Sequence, residues 1–391
     1  MKIKYKVILG YVGLICINLA LLLQQASFYQ FFHLSNLLRN VCVVIFIICG
    51  LLLLINSKCR FMVLKNQITS ILLIIYMIFI GFVNSNSFER IYWATIDFIV
   101  YIMCLHIFRS VKDNDKKIVL YFEFIVFCFA ASMYFFSKFN YSFYTSGEHS
   151  SPMFPFMLIP FIGLLEKKRY LFISLIIMLF ISFLESGRTI FILTMLVLLY
   201  SIIKIYGEKT GAKGIVIIGL IFLVSLVSGL CLYKYSLRFT GYSFIEKTID
   251  AGDSHRIELY KNVIDKYFKN GFINIIFGSG FMSTTLINRY NFMAHNDFLE
   301  MLYDYGVIGF SLFILWFITL FKELTKSRIH RKNIASIFIA IYILILLCFS
   351  NNVFFNFGAV SYLMIFFALI ESDNLLRYTH EKNSITYPQN K

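Results

Sequence analysis

Long apolar runs, broken by short polar clusters, dominate the pattern of this 391-residue chain. A helix that crosses a membrane needs roughly 20 mostly apolar residues, and on that measure the runs predict about twelve spans. They lie at 5–25, 38–55, 67–84, 91–109, 118–137, 152–165, 170–184, 188–206, 213–233, 297–321, 333–350 and 353–370. Spans 152–165 and 170–184 are short, and the first holds Pro152, Pro155 and Pro160. The interval 234–296 breaks the rhythm because it is mixed in polarity and long. Connections of that length without a spanning element are usually functional. Within it, Ser254 to Lys269 sets Ile257, Tyr260, Val263, Ile264, Tyr267 and Phe268 at helical spacing. This spacing predicts an amphipathic helix lying on a membrane surface.

The expected fold class is therefore an all-α integral membrane protein with one large outer loop. Residues 1–233 hold the first nine helices, 234–296 the outer loop with its amphipathic helix, 297–370 the last three helices, and 371–391 a polar cytoplasmic tail. Composition excludes an ordinary soluble domain, since 59% of residues are hydrophobic and only 15% charged.

The net charge of +15 invites a nucleic-acid reading, and its distribution removes it. With the N-terminus inside, Lys and Arg cluster in the cytoplasmic segments 2–6, 58–65, 109–117, 167–169, 204–213, 322–332 and 377–391. The short outer loops hold only Arg39, Arg90, Lys138 and Arg188. That asymmetry is topology: both termini are expected in the cytoplasm and 234–296 outside. The cysteines lie mostly in apolar runs and form no C-x-x-C, so neither a disulfide framework nor a zinc site is predicted. The basic start and the apolar run behind it lack a small-residue cleavage site and read as a first helix that stays.

Chemistry is expected where ionisable groups meet the membrane, because such groups are costly there. The stretch from Gly278 to Gly309 passes from a loose glycine turn through His295-Asn296 into an apolar helix carrying Glu300, Asp304, Gly306 and Gly309. Arg188 stands where Glu185-Ser186-Gly187-Arg188-Thr189 turns into a span, and its alternative role is an arginine snorkelling from a helix end. Arg256 opens the amphipathic helix, where a solvated surface arginine is the plainer reading. His295 alone could be a structural interfacial histidine. Asp97, inside the fourth span, is a charge with no assigned partner that could line the same cavity.

Taken together, these residues resemble a known family. His295-Asn296, nine residues, Gly306, two residues, Gly309 reproduces the H-N-x9-G-x-x-G pattern of the bacterial O-antigen ligase and polymerase superfamily. Ser186-Gly187-Arg188-Thr189 looks like its S-x-R-T element, and Ser254-His255-Arg256 followed by Gly278-Ser279-Gly280 is similar to the arginine helix and G-x-G of its outer loop. The resemblance covers roughly 180–320, and elsewhere only the plan of spans matches.

The resemblance implies a GT-C-like fold in the bacterial cell membrane. It also implies glycosyl transfer at the outer face from a polyprenyl-diphosphate-linked glycan, with no nucleotide sugar, metal or other cofactor. Arg188 and Arg256 would neutralise the departing diphosphate, since a guanidinium fork suits paired phosphate oxygens. His295 would take the proton of the acceptor hydroxyl. Asn296, Glu300 and Asp304 would orient these groups or bind sugar, with Tyr260, Glu185 and Asp97 in the same substrate-binding set. The favoured activity is a polymerase joining lipid-linked repeat units into O-antigen, capsule or a similar surface polysaccharide. A ligase of the same superfamily, acting on a lipid A core or a protein, is the alternative. A flippase for the lipid-linked unit is the rival from another class, and it predicts midplane charges and inverted repeats. Expected partners are the lipid-linked donor and acceptor, membrane lipid and a chain-length regulator protein, with no nucleic acid.

Competing motifs fall away on position. Asp113-Asn114-Asp115 has the D-x-D form but sits in a basic cytoplasmic loop, and the loop 26–37 has no acidic residue. Gly278-Ser279-Gly280 lacks a following Lys and is expected outside, which argues against a nucleotide loop.

Overall fold

The computed structural model describes residues 2–28, 35–56, 65–84, 86–111, 113–140, 152–184, 188–206, 256–287, 293–325, 334–350, 354 and 360–372. These are helical almost throughout. In chain order the helices are α1 (Lys2–Phe28), α2 (Ser35–Asn56), α3 (Lys65–Val83), α4 (Phe88–Ser110), α5 (Asp113–Asn140), α6 (Met153–Ile162), α7 (Lys168–Leu184), α8 (Arg188–Tyr206), α9 (Arg256–Lys269), α10 (Phe272–Phe277), α11 (Asp297–Thr325), α12 (Ile334–Ser350) and α13 (Ser361–Ser372). A single 3₁₀ turn, Ser283–Leu286, lies between α10 and α11. The expected span at 213–233 and the outer residues 234–255 lie outside the described residues.

Among the described residues, six helices, α1 to α5 and α11, are long and apolar enough to cross a membrane, and α6, α8, α12 and α13 are shorter apolar helices. The expectation at 152–165 needs correction. Pro152 caps α6 and Pro155 falls in its first turn, where the missing N–H has no helical partner to lose. The ten residues of α6 rise about 15 Å, half of a hydrocarbon core of about 30 Å. All of them are buried, enclosed by α5, α7, α8 and α12. This segment is an internal half-helix.

Helix α4 is the axis of the bundle. Ser87 caps its start by accepting from the Arg90 N–H, and Glu89 and Arg109 match the two ends of the helix dipole. It is buried along its length between Ile91 and Phe108. Phe98 meets Trp316 of α11 edge-on at 5.3 Å and stacks on Phe354 at 5.4 Å, in the offset and T-shaped arrangements that aromatic quadrupoles favour.

Several polar groups inside this core find partners on other helices, which offsets the desolvation penalty of burying them. Asn66 of α3 donates to the Tyr101 hydroxyl and to Glu371, each at 2.9 Å, and Tyr101 donates to Glu371. Asn18 of α1 donates to Glu123 of α5 at 3.0 Å. Glu371, expected to open the tail, is instead fully buried in the last turn of α13.

Candidate active site

The site is built around the start of α11. Asn296 precedes the helix, and its side-chain oxygen accepts from the N–H groups of Phe298 at 3.0 Å and Leu299 at 3.2 Å. These are donors a helix start leaves without intrahelical partners, so Asn296 is the cap. His295, half-buried beside it, has φ 54°, in the left-handed region that a residue with a Cβ seldom adopts. Holding it there costs of order 1–3 kcal/mol, which the surrounding structure must offset. Glu300 supplies part of that hold: it is fully buried, accepts from the Ala294 N–H just before the histidine, and accepts from the Thr284 hydroxyl at 2.5 Å.

Six residues after Glu300, α11 breaks. Gly306 has φ 64° and ψ −171°, a conformation essentially restricted to glycine. The carbonyls ahead of the break are met from outside the helix. Ser279 N–H donates to Tyr303 at 3.1 Å, Gly280 N–H to Asp304 at 2.9 Å, and the Tyr76 hydroxyl of α3 to Tyr305 at 3.0 Å and Phe277 at 3.1 Å. The Asp304 carboxylate is fully buried and accepts from the backbone of Met282 at 2.8 Å and of Ser283 at 3.1 Å.

Glycine is required at both sides of this crossing. A Cβ on Gly278 would stand 2.2 Å from the Asp304 carbonyl oxygen, and one on Gly306 would stand 2.3 Å from that of Ile276. The glycine turn 278–280 is therefore a close backbone contact. Its Ser279 and Gly280 amides are engaged by the helix and are not turned to a phosphate.

The structure brings His295, Asn296, Glu300 and Asp304 together with the turn 278–287. Glu300 and Asp304 face inward onto that turn, which fits them to orienting rather than to touching sugar. Arg188 and Arg256 are the first residues of α8 and α9, and their side chains lie outside the described residues, as does Glu185. Tyr260 is half-buried on α9 with its hydroxyl 3.5 Å from the Phe349 carbonyl of α12. Asp97 is buried in α4 and accepts from Ser361 of α13.

Two participants were not foreseen. Tyr76 sits in an unbroken apolar run, where a hydroxyl must find an acceptor but the run does not say which. Thr284 lies in a polar loop among several hydroxyl residues.

A family model described as O-antigen ligase matches residues 173–314. This part of the chain is similar to the O-antigen ligase family. No curated protein matches the chain. The matched region begins within α7 and ends within α11, so it contains the starts of α8 and α9, the glycine turn, the His295 turn and the break at Gly306. All three stretches that carried the resemblance, 186–189, 254–256 with 278–280, and 295–309, fall inside it. The O-antigen ligase/polymerase superfamily comprises membrane glycosyltransferase-like enzymes acting on lipid-linked oligosaccharides, in keeping with the apolar helices around this domain.

Proposed function

We propose that this protein is a metal-independent glycosyltransferase that polymerises polyprenyl-diphosphate-linked repeat units at the outer face of the cell membrane. The observation that carries the reading is His295, held in a left-handed backbone conformation at the capped start of α11, inside the region that matches the O-antigen ligase family model. A residue kept in a sparsely populated conformation by its surroundings is a mark of functional placement.

In the proposed reaction the acceptor hydroxyl oxygen attacks the anomeric carbon of the donor sugar. His295 takes the hydroxyl proton, the bond from that carbon to the diphosphate oxygen breaks, and polyprenyl diphosphate leaves. Arg188 and Arg256 stabilise the charge on the departing diphosphate, each as a two-toothed donor. Glu300, Asp304 and Asn296 act through backbone, keeping the histidine and the turn 278–287 in register. Arg188→Lys and Arg256→Lys keep charge but lose the fork, so each is expected to weaken donor binding by about tenfold, measured with purified variants.

The matched domain carries a ligase description, which favours transfer of finished glycan to a lipid A core or protein as the second reading. Purified protein with a defined lipid-linked repeat unit as the sole substrate separates the two. A polymerase builds a ladder of multiples of the unit. A ligase leaves the unit unchanged until a core acceptor is added. Loss of either activity in chelator, restored by magnesium or manganese, would contradict the metal-independent mechanism.

A further inference from the structure

The amphipathic helix α9 carries a wider apolar arc than the protein covers. Leu259, Val263 and Tyr267 recur at helical spacing and are 3%, 3% and 5% exposed. Val263 and Tyr267 pack against Ala294 and Tyr303 of the His295 region. This part of the face, expected on the membrane, is buried against the protein. Beside it Ile264 and Phe268 continue the same arc outward, and Phe268 is 72% exposed. The apolar surface then runs on into α10, where Phe272 and Ile273 are 76% and 71% exposed and no residue is buried. A contiguous, uncovered apolar patch of this kind marks an interaction surface.

We propose that the tip formed by Phe268, Phe272 and Ile273 is inserted in the outer leaflet of the membrane, anchoring the His295 region at headgroup depth. Continuity favours lipid as the occupant. The Tyr76 hydroxyl ties the Phe277 carbonyl to α3, and the last turn of α3 exposes Phe79, Phe82 and Val83, the lipid-facing surface of a spanning helix. The tip therefore adjoins the exposed apolar end of a helix long enough to cross a membrane. Charge is complementary as well: Lys266 and Lys269 are exposed on the polar side of α9 and outnumber the exposed Asp265 there, which suits anionic headgroups. Because the buried side of α9 packs on Ala294, anchor and histidine move as one packed unit. This inference does not depend on the reaction assigned to His295.

The test uses full-length protein in phosphatidylethanolamine and phosphatidylglycerol vesicles whose acyl chains carry bromine, a short-range quencher of indole fluorescence. Phe272→Trp and Ile273→Trp keep apolar bulk at exposed positions and should fold as the parent does, while Lys266→Trp probes the polar side. After subtraction of the parent signal from Trp93 and Trp316, brominated chains should quench the added indole at 272 and 273 at least about twofold more than at 266. Equal quenching at all three positions, or quenching at 272 and 273 by aqueous acrylamide only, would overturn the proposal. Protection from both quenchers that fades as protein is diluted in lipid would also overturn it, because a second copy would then be the occupant.

Discussion

Two sets of buried carboxylates divide the molecule. Around α4, Asp97, Glu123 and Glu371 meet side chains from other helices: Ser361, Asn18, and the Tyr101 and Asn66 pair. At the start of α11, Glu300 and Asp304 meet mainly backbone N–H groups, those of Ala294, Met282 and Ser283. The first arrangement ties helix to helix and leaves each helix regular. The second fixes the path of an irregular chain, with His295, Met282, Gly278, Gly280 and Gly306 all at positive φ. Buried carboxyl groups in the bundle hold the scaffold. The same chemistry beside His295 shapes a site.

Substitutions that break this contrast should differ in kind as well as size. The largest effect is expected from Gly306→Ala, which combines a glycine-only conformation with a Cβ driven into the Ile276 carbonyl. Activity should vanish, and the helices α1 to α5 should remain folded by limited proteolysis. An active Gly306→Ala protein would mean that the break in α11 is dispensable.

Asp304→Asn comes next. It keeps one acceptor and turns an amide NH₂ towards the second backbone donor, at a cost of about 1–3 kcal/mol in the turn. Turnover should fall by about tenfold, and hydrogen exchange at Met282 and Ser283 should accelerate while α4 stays protected.

Tyr76→Phe removes the one hydroxyl proton shared by the Tyr305 and Phe277 carbonyls and is expected to destabilise the crossing by about 1–2 kcal/mol, with a loss of activity of only a few-fold. The smallest effect on activity belongs to Glu371→Gln. Thermal stability should drop, by about 1–3 kcal/mol in free energy, while turnover per folded molecule stays within about twofold. A Glu371→Gln variant that is stable but inactive would erase the distinction between the two sets.

The sequence foretold the helices better than their partners. Apolar length located α1 to α5 and the start of α11, because span length is a local property of the chain. It misjudged 152–165, where the prolines mark a half-length helix that other helices enclose. Gly306 and Gly309 were legible as a pattern, but not as a break and a close approach. Those depend on Ile276 and Tyr76, which lie far from them along the chain or in other elements. Asp97 shows the same limit: its bond to Ser361 spans 264 positions, and nothing local to α4 names that partner. The apolar face of α9 was visible as periodicity, and its division between protein and lipid was not.

The account rests on His295 as the proton acceptor in glycosyl transfer, and one measurement addresses this directly. Wild-type and His295→Ala proteins are purified in lipid nanodiscs, and donor binding and initial rates are measured on a defined polyprenyl-diphosphate oligosaccharide. General base catalysis is typically worth about 10²–10⁴-fold, so the variant should bind donor as the wild type does and form product at least about 100-fold more slowly. Equal rates, or a loss of rate matched by an equal loss of donor binding, would contradict it.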